Sequence, residues 1–379
     1  MEFIKRINEL YPRICEFENL YEAYLEARKN KRFRFEVLLF SANLAENLIE
    51  IQTALKEKTY QLSDYRKFII SEPKKRLIMA LQFRDRVVQW AIYRQLNPLL
   101  DRQFIFDNFA CRVGKGTHKA LERLQYWLRK TERTGKQWYC LKMDISKYFY
   151  RVDHAVLMRI LKRKIKDKDL LWLLNEIVNC EKCAFGLPLD ASIATATDSI
   201  RLFDCGMPIG NLTSQMFANL YLNEIDQYVK HELREHYYIR YMDDMLLLGF
   251  DKTILHETKA KIEIYLNEVL RLTLNDKTSI RPTYLGIEFV GFRIWATHIK
   301  LRKTSSKKLK RGLKYLKNQY SKGLATYDDI RPNIMSYAGI LKHFNSYRLS
   351  REIFGVYSDY EWYDGWFSLQ RSNNEEPPY

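Results

Sequence analysis

The chain has 379 residues, 46% of them hydrophobic and 14% aromatic, which excludes general disorder and predicts two or three lobes rather than one core. Its formal net charge of +17 predicts a polyanionic partner, nucleic acid first, because no polybasic stretch adjoins a membrane anchor. The start, MEFIKRINELYPR, lacks the apolar centre of a secretion signal and no run is long enough to span a bilayer, so a cytoplasmic protein without a membrane partner is expected.

Residues 16–58 predict helix, with Leu38, Leu39, Leu44, Leu48, Ile51 and Leu55 at helical spacings. YRKFIISEPKKRLIMALQFRDRVVQWAIY then predicts strand, a turn at Pro73, strand, and a helix opened by Val87, Val88 and Ala91. Thr117 is placed to cap a helix carrying Leu121, Leu124 and Leu128, which runs to the polar joint TERTGK. From Trp138 the pattern changes. WYCLKMDI predicts a short buried strand, DHAVLMRILKRKI a helix, and SQMFANLYLNEIDQYVKHEL a longer amphipathic helix. YYIRYMDDMLLLGF predicts two strands joined at its aspartate pair, ILHETKAKIEIYLNEVLRLTL another helix, and GIEFVGFRI a strand after a turn. The C-terminal region predicts helices opening with a basic segment, and a loose tail, RSNNEEPPY. This order predicts an α+β domain with helices on one face of an antiparallel sheet. Of the six cysteines, Cys180 and Cys183 form a CxxC pair with no second pair and no histidine nearby, so reduced structural thiols are expected rather than zinc.

Asp144 ends the strand LKMDI, and Asp243 and Asp244 sit at the bend of a hairpin. If these strands are neighbours, three carboxylates converge where like charges are costly to hide. Divalent cations remove that repulsion, and two Mg²⁺ ions can activate an attacking hydroxyl and stabilise a leaving pyrophosphate. A bare Asp-Asp pair is otherwise a common solvated turn.

YMDD after an aromatic strand, with LKMDISKYF upstream, resembles the palm motifs of reverse transcriptases. PKKRLIMALQFRDRVVQWAIY, FACRVGKGTHKAL, GMPIGNLTSQMFANLYLNEID, LNDKTSI and GIEFVGFRI resemble the family's remaining blocks, in the family's order. The resemblance implies an α+β right-hand polymerase fold with fingers, palm and helical thumb. It divides the chain into fingers with N-terminal helices (1–137), palm (138–295, with an unassigned segment at 180–205), a helical basic thumb (296–365) and a flexible tail (366–379).

The same resemblance implies Asp144, Asp243 and Asp244 as metal ligands, joined by the carbonyl of Ile145. Phe149 matches the aromatic gate that fills the space of a ribose 2′-hydroxyl. Lys75, Arg76 and Arg84 match basic residues that clamp the incoming triphosphate on a fingers hairpin, where charge grows in the transition state. Arg86 is expected to brace the fingers through Asp85. Gln215, after the flexible turn of Gly206, Pro208 and Gly210, is placed to touch the nascent base pair, with Thr213 or Ser214 capping its helix. Lys277 matches a residue that protonates or neutralises pyrophosphate. Downstream, Lys303, Lys307, Lys308, Lys310, Arg311 and Lys314 belong to a run of cations with no acid between them, suited to gripping a duplex backbone.

The implied cofactor is a pair of Mg²⁺ ions, with Mn²⁺ as substitute. The implied partners are an RNA template, the RNA/DNA duplex and dNTPs. The chain lacks room for an RNase H domain, and with its IGNLTSQ variant it looks most like the enzymes of diversity-generating retroelements. There a structured RNA is copied with errors opposite adenines, and a small basic accessory protein assists. An anti-phage defence reverse transcriptase and a catalytically inactive RNA-binding relative are the alternatives.

Overall fold

A computed structural model describes residues 6–71, 75–180, 184–193 and 195–354. The Pro73 turn, Cys183, residues 355–365 at the end of the expected thumb and the 366–379 tail lie outside the described residues.

The chain opens with α1 (Tyr11–Ile14), α2 (Phe17–Arg28), α3 (Phe35–Ala42) and α4 (Leu44–Lys56). The helix predicted over 16–58 is therefore broken twice. Asn30, at φ 60, takes the left-handed conformation that asparagine tolerates, and Asn43 leaves helical geometry between α3 and α4. Leu48, Ile51 and Leu55 are buried, whereas Leu38 and Leu39 on α3 are exposed. Then β1 (Arg66–Ile70) and β2 (Arg76–Ala80) pair as an antiparallel hairpin with Phe68 opposite Ile78. They lead into α5 (Phe83–Asp101), which buries Val87, Val88 and Ala91.

Next come α6 (Thr117–Glu132), β3 (Tyr139–Asp144), the single turn α7 (Tyr148–Arg151), α8 (His154–Lys164) and α9 (Lys168–Val178). The sequence pattern passed over α9, although Leu170, Leu173, Leu174 and Ile177 give it a buried stripe and Asp167 caps it by accepting from the Asp169 and Leu170 amides. They are followed by α10 (Leu212–Gln227), β4 (Tyr238–Tyr241), β5 (Asp244–Gly249), α11 (Lys252–Leu270) and β6 (Ser279–Pro282). The chain continues through β7 (Ile287–Phe289), β8 (Phe292–Ile294), β9 (Ile299–Leu301), α12 (Lys303–Ser321), α13 (Tyr327–Leu341) and α14 (Tyr347–Phe354). GIEFVGFRI is thus two strands rather than one. Val290 and Gly291, at φ 42 and 89, make the left-handed two-residue turn that closes tight hairpins.

These elements pack into two compact units, residues 1–116 with 141–280, and residues 117–140 with 281–379. The first holds the sheet ordered β4-β5-β3-β6. Its helix α10 packs on α5, α8 and α11 and buries residues on every side. The second holds the antiparallel sheet β7-β8-β9 with α6 against β8. Its helices α12 and α13 close over Leu309, Leu313, Ile330, Ile334 and Leu341. The fold is α+β. No helix among the described residues is long and apolar enough to cross a membrane, and Cys15, Cys111, Cys140, Cys180 and Cys205 are in no disulfide.

Candidate active site

Strand order brings the carboxylates to neighbouring strand ends. Asp144 is the last residue of β3 and Asp244 the first of β5, its neighbour in the sheet. Asp243 lies in the two-residue turn that joins β4 to β5, where Tyr241 pairs with Asp244. Met242 carries that turn's positive φ, 56°. Lys142, two residues before Asp144 and so on the same strand face, donates from Nζ to Asp244 Oδ2 at 3.2 Å. The face of β3 that carries Asp144 therefore looks toward Asp244.

The other Asp244 oxygen, Oδ1, is buried without a hydrogen-bond partner. This carboxyl is pushed up to about 6: burial raises it most, Lys142 pulls it down, and the negative charges of Asp144 and Asp243 add to the rise. Among the described residues, no three His, Cys, Asp or Glu side chains are already gathered into a metal-holding group. The donor chemistry nevertheless fits a hard divalent cation: oxygen ligands only, one of them a desolvated carboxylate oxygen with nothing bound to it. Ile145, whose carbonyl the resemblance implies as a further ligand, is buried and bridges to Leu274. Asn275 completes this edge, donating its amide to the Asp144 carbonyl at 2.7 Å and its side chain to Asp144 Oδ2 at 3.5 Å. Lys277 is exposed in the following turn, its amide held by Asn275 Oδ1.

A fully buried ion pair frames the aspartate turn, and the sequence reading missed it. Arg240 on β4 donates from Nε to both oxygens of Asp226 on α10, at 2.7 and 3.0 Å, and from Nη2 to Oδ2 at 2.6 Å. Its Nη1 donates to the carbonyl of Met242, immediately before Asp243, at 3.0 Å. Tyr238 donates to Asp226 Oδ1 at 2.9 Å. Burial alone would lower the guanidinium pKa, but Asp226 overcomes it and raises it. The available signal was an arginine at an inward position of an otherwise apolar strand.

Phe149 is half-buried in α7, and its carbonyl accepts from the Met207 amide at 2.7 Å. Its side chain packs against the cluster formed by Met79 of β2, Tyr150, Phe185 and Leu187. Lys75 and Arg76 are exposed at the start of β2. Arg84 is not on the hairpin, as its expected role required. It stands in the first turn of α5 with its guanidinium 5.2 Å from the centre of the Tyr60 ring, and within 3.7 Å of Glu50 and Asp85. Nor does Arg86 act through Asp85. It pairs with Glu36 at 2.9 Å, while Asp85 accepts from the Tyr60 hydroxyl and the Ser63 amide. Gln215 is exposed on α10 between the buried Ser214 and Met216. Asn211, rather than Thr213 or Ser214, occupies the cap position, and Gln89 of α5 accepts from the Thr213 amide.

In the second unit, Lys303, Lys307, Lys308, Arg311 and Lys314 are exposed along α12, while Leu309 and Leu313 turn inward. Lys310 differs. The fold brings Glu352 of α14 to it as an ion pair, so the run without acids in sequence is not without one in space. A groove of about 410 Å³ runs beside the helix, lined by Arg293, Trp295, Lys300, Lys303, Lys307 and Lys310. Trp295, also missed, stacks on His298 at 4.5 Å. A roomier cavity of about 870 Å³ in the first unit contains none of the three carboxylates, and its Arg6, Arg159 and Arg271 are already engaged by three backbone carbonyls and Asp153.

The model of a family described as reverse transcriptase (RNA-dependent DNA polymerase) matches residues 66–294. Protein YkfC of Escherichia coli strain K12 is 27% identical over 68% of this chain and 73% of its own length. The group II intron-encoded protein LtrA of Lactococcus lactis is 24% identical over 59% of this chain, and the match spans only 36% of LtrA. Among solved structures, apo telomerase from Candida tropicalis aligns with TM-score 0.46 at 13% identity, over 77% of this chain and 61% of that one.

Proposed function

The chain belongs to the reverse transcriptase (RNA-dependent DNA polymerase) family, and from that premise we propose that it copies a structured RNA into cDNA for a diversity-generating retroelement. The proposed fingers are the N-terminal helices with β1 and β2, the palm the sheet carrying Asp144, Asp243 and Asp244, and the thumb α12 to α14. The observation that carries the reading is the orphaned, desolvated Asp244 Oδ1 beside Asp144 and Asp243. Those three carboxylates, with the Ile145 carbonyl, would hold Mg²⁺. A pair of Mg²⁺ ions, when bound, supplies Lewis acidity to a primer 3′-hydroxyl and to departing pyrophosphate.

The chain's own side chains do the remaining work. Lys75 and Arg76 bind the triphosphate of the incoming dNTP. Phe149 excludes the 2′-hydroxyl, and Gln215 orients the base pair being formed. Lys277 holds a proton for the leaving pyrophosphate. The exposed cations of α12 grip the RNA/DNA backbone without reading sequence.

Primer extension on an RNA template with dNTPs and Mg²⁺, comparing the wild type with Asp243→Ala, tests this reading. Full-length cDNA from the wild type alone is expected, with errors concentrated opposite template adenines. Faithful cDNA would move the role to anti-phage defence. No cDNA, together with retained RNA binding, would overturn polymerisation in favour of a binding relative.

A further inference from the structure

Lys147 lies between Asp144 and Phe149 and has left-handed backbone geometry, φ 50 and ψ 38, at the start of α7. An ammonium has three donors. Here Nζ reaches three carbonyls of the unassigned segment: Leu189 and Ala191 at 2.5 Å each, and Pro188 at 3.4 Å. All three donors are engaged, so this cation is not one of those available to substrate phosphates.

The same stretch is tied to the residues after Phe149 as well. The Leu187 amide donates to the Tyr150 carbonyl at 3.2 Å, and Arg151 Nη1 donates to the Leu187 carbonyl at 2.9 Å. The Tyr150 and Phe185 rings stack at 4.7 Å and 8°. Gly186 pairs with Leu202, so the segment returns on itself before rejoining the loop ahead of α10. It rejoins at close range. A side chain at Gly206 would lie 2.7 Å from the Gly186 amide nitrogen, and the neighbouring Met207 amide holds the Phe149 carbonyl. Phe149 is thus bracketed at 147, 150 and 151 by one stretch of chain.

We propose that Lys147 is a positioning residue that clamps the 185–191 stretch and thereby fixes the height of the Phe149 ring, making sugar discrimination depend on a residue that touches neither nucleotide nor metal. The inference rests on Phe149 being the gate. Ring displacement of a fraction of an ångström would admit a 2′-hydroxyl without moving the carboxylates, because Asp144 is held independently by Asn275.

The test is single-nucleotide incorporation by the full chain, with kcat and KM measured for dNTP and rNTP, in Lys147→Gly, Lys147→Met and Phe149→Ala. Glycine adopts the left-handed backbone freely, so Lys147→Gly removes the ammonium without backbone strain. Methionine keeps the length of the chain without donors. Both Lys147 variants are expected to lower the dNTP-over-rNTP preference about 10-fold through rNTP KM, leaving dNTP kcat near wild type. Relaxed discrimination in Phe149→Ala with unchanged discrimination in both Lys147 variants would overturn the clamp and leave the gate standing. Parallel losses for dNTP and rNTP in the Lys147 variants would also overturn it, marking Lys147 as merely structural. Unchanged discrimination in Phe149→Ala would remove the gate and the clamp with it.

Discussion

The aspartate hairpin and helix α12 both place like charges in succession, yet they are built in opposite ways. At the hairpin the charges are few and partly buried, and a buried frame fixes their turn: Arg240 bonds Asp226 on one side and the Met242 carbonyl on the other. On α12 the charges are many and solvated, carried on flexible stems above a leucine seam. Burial turns each interaction at the hairpin into an all-or-none matter, while exposure makes each one on α12 replaceable.

The contrast is broken most sharply at the frame itself. Asp226→Leu leaves Arg240 charged in the interior without its counter-ion, the Met242 carbonyl remaining, so unfolding should become easier by about 3–5 kcal/mol, read as a shifted urea midpoint. A change below about 1 kcal/mol would mean that water or a rearranged partner reaches Arg240. Next comes chemistry: Asp243→Asn should cut cDNA synthesis by about 10²–10³-fold at unchanged melting temperature, measured by primer extension.

Asp244 gives a signed pH effect. Its carboxyl titrates near 6 when folded against 3.8 in the unfolded chain. Between these values the folded protein binds more protons than the unfolded one, so stability falls as pH rises from about 4 to 6 and stays lower above. Asp244→Asn removes that penalty, and its melting temperature at pH 7 should exceed the wild type's by the equivalent of up to about 3 kcal/mol while synthesis is lost. Equal pH dependence in the two proteins would break this assignment. The smallest effects belong to α12. Lys314→Ala should weaken duplex binding uniformly across sequences and lower the salt slope by about 1, by filter binding at several salt concentrations. Glu352→Gln, which releases Lys310, should do the reverse.

What was legible in the sequence follows the same division. Continuous aromatic and apolar runs on both sides of the aspartates in YIRYMDDMLLL announced two buried strands and put the aspartates at the bend between them. The cations of α12 announced themselves by charge. Pairings between distant residues were not legible: Lys310 with Glu352, 42 positions away, or Arg240 with Asp226 across two elements. Arg84 and Arg76 look equivalent in sequence, but one stands in a helix and the other on a strand, and only the backbone decides which is free to face a substrate. The Val290 turn was hidden because a β-branched residue seldom accepts positive φ.

Helix α10 carries Gln215 near its beginning and Asp226 near its end, with buried side chains between them. Eleven residues at about 1.5 Å each make it a ruler of roughly 16 Å between the residue proposed to sense the new base pair and the acid that seats the aspartate turn. A rod of that kind does not compress. One helix therefore fixes the spacing between the Gln215 position and the Arg240–Asp226 pair that seats the aspartate turn.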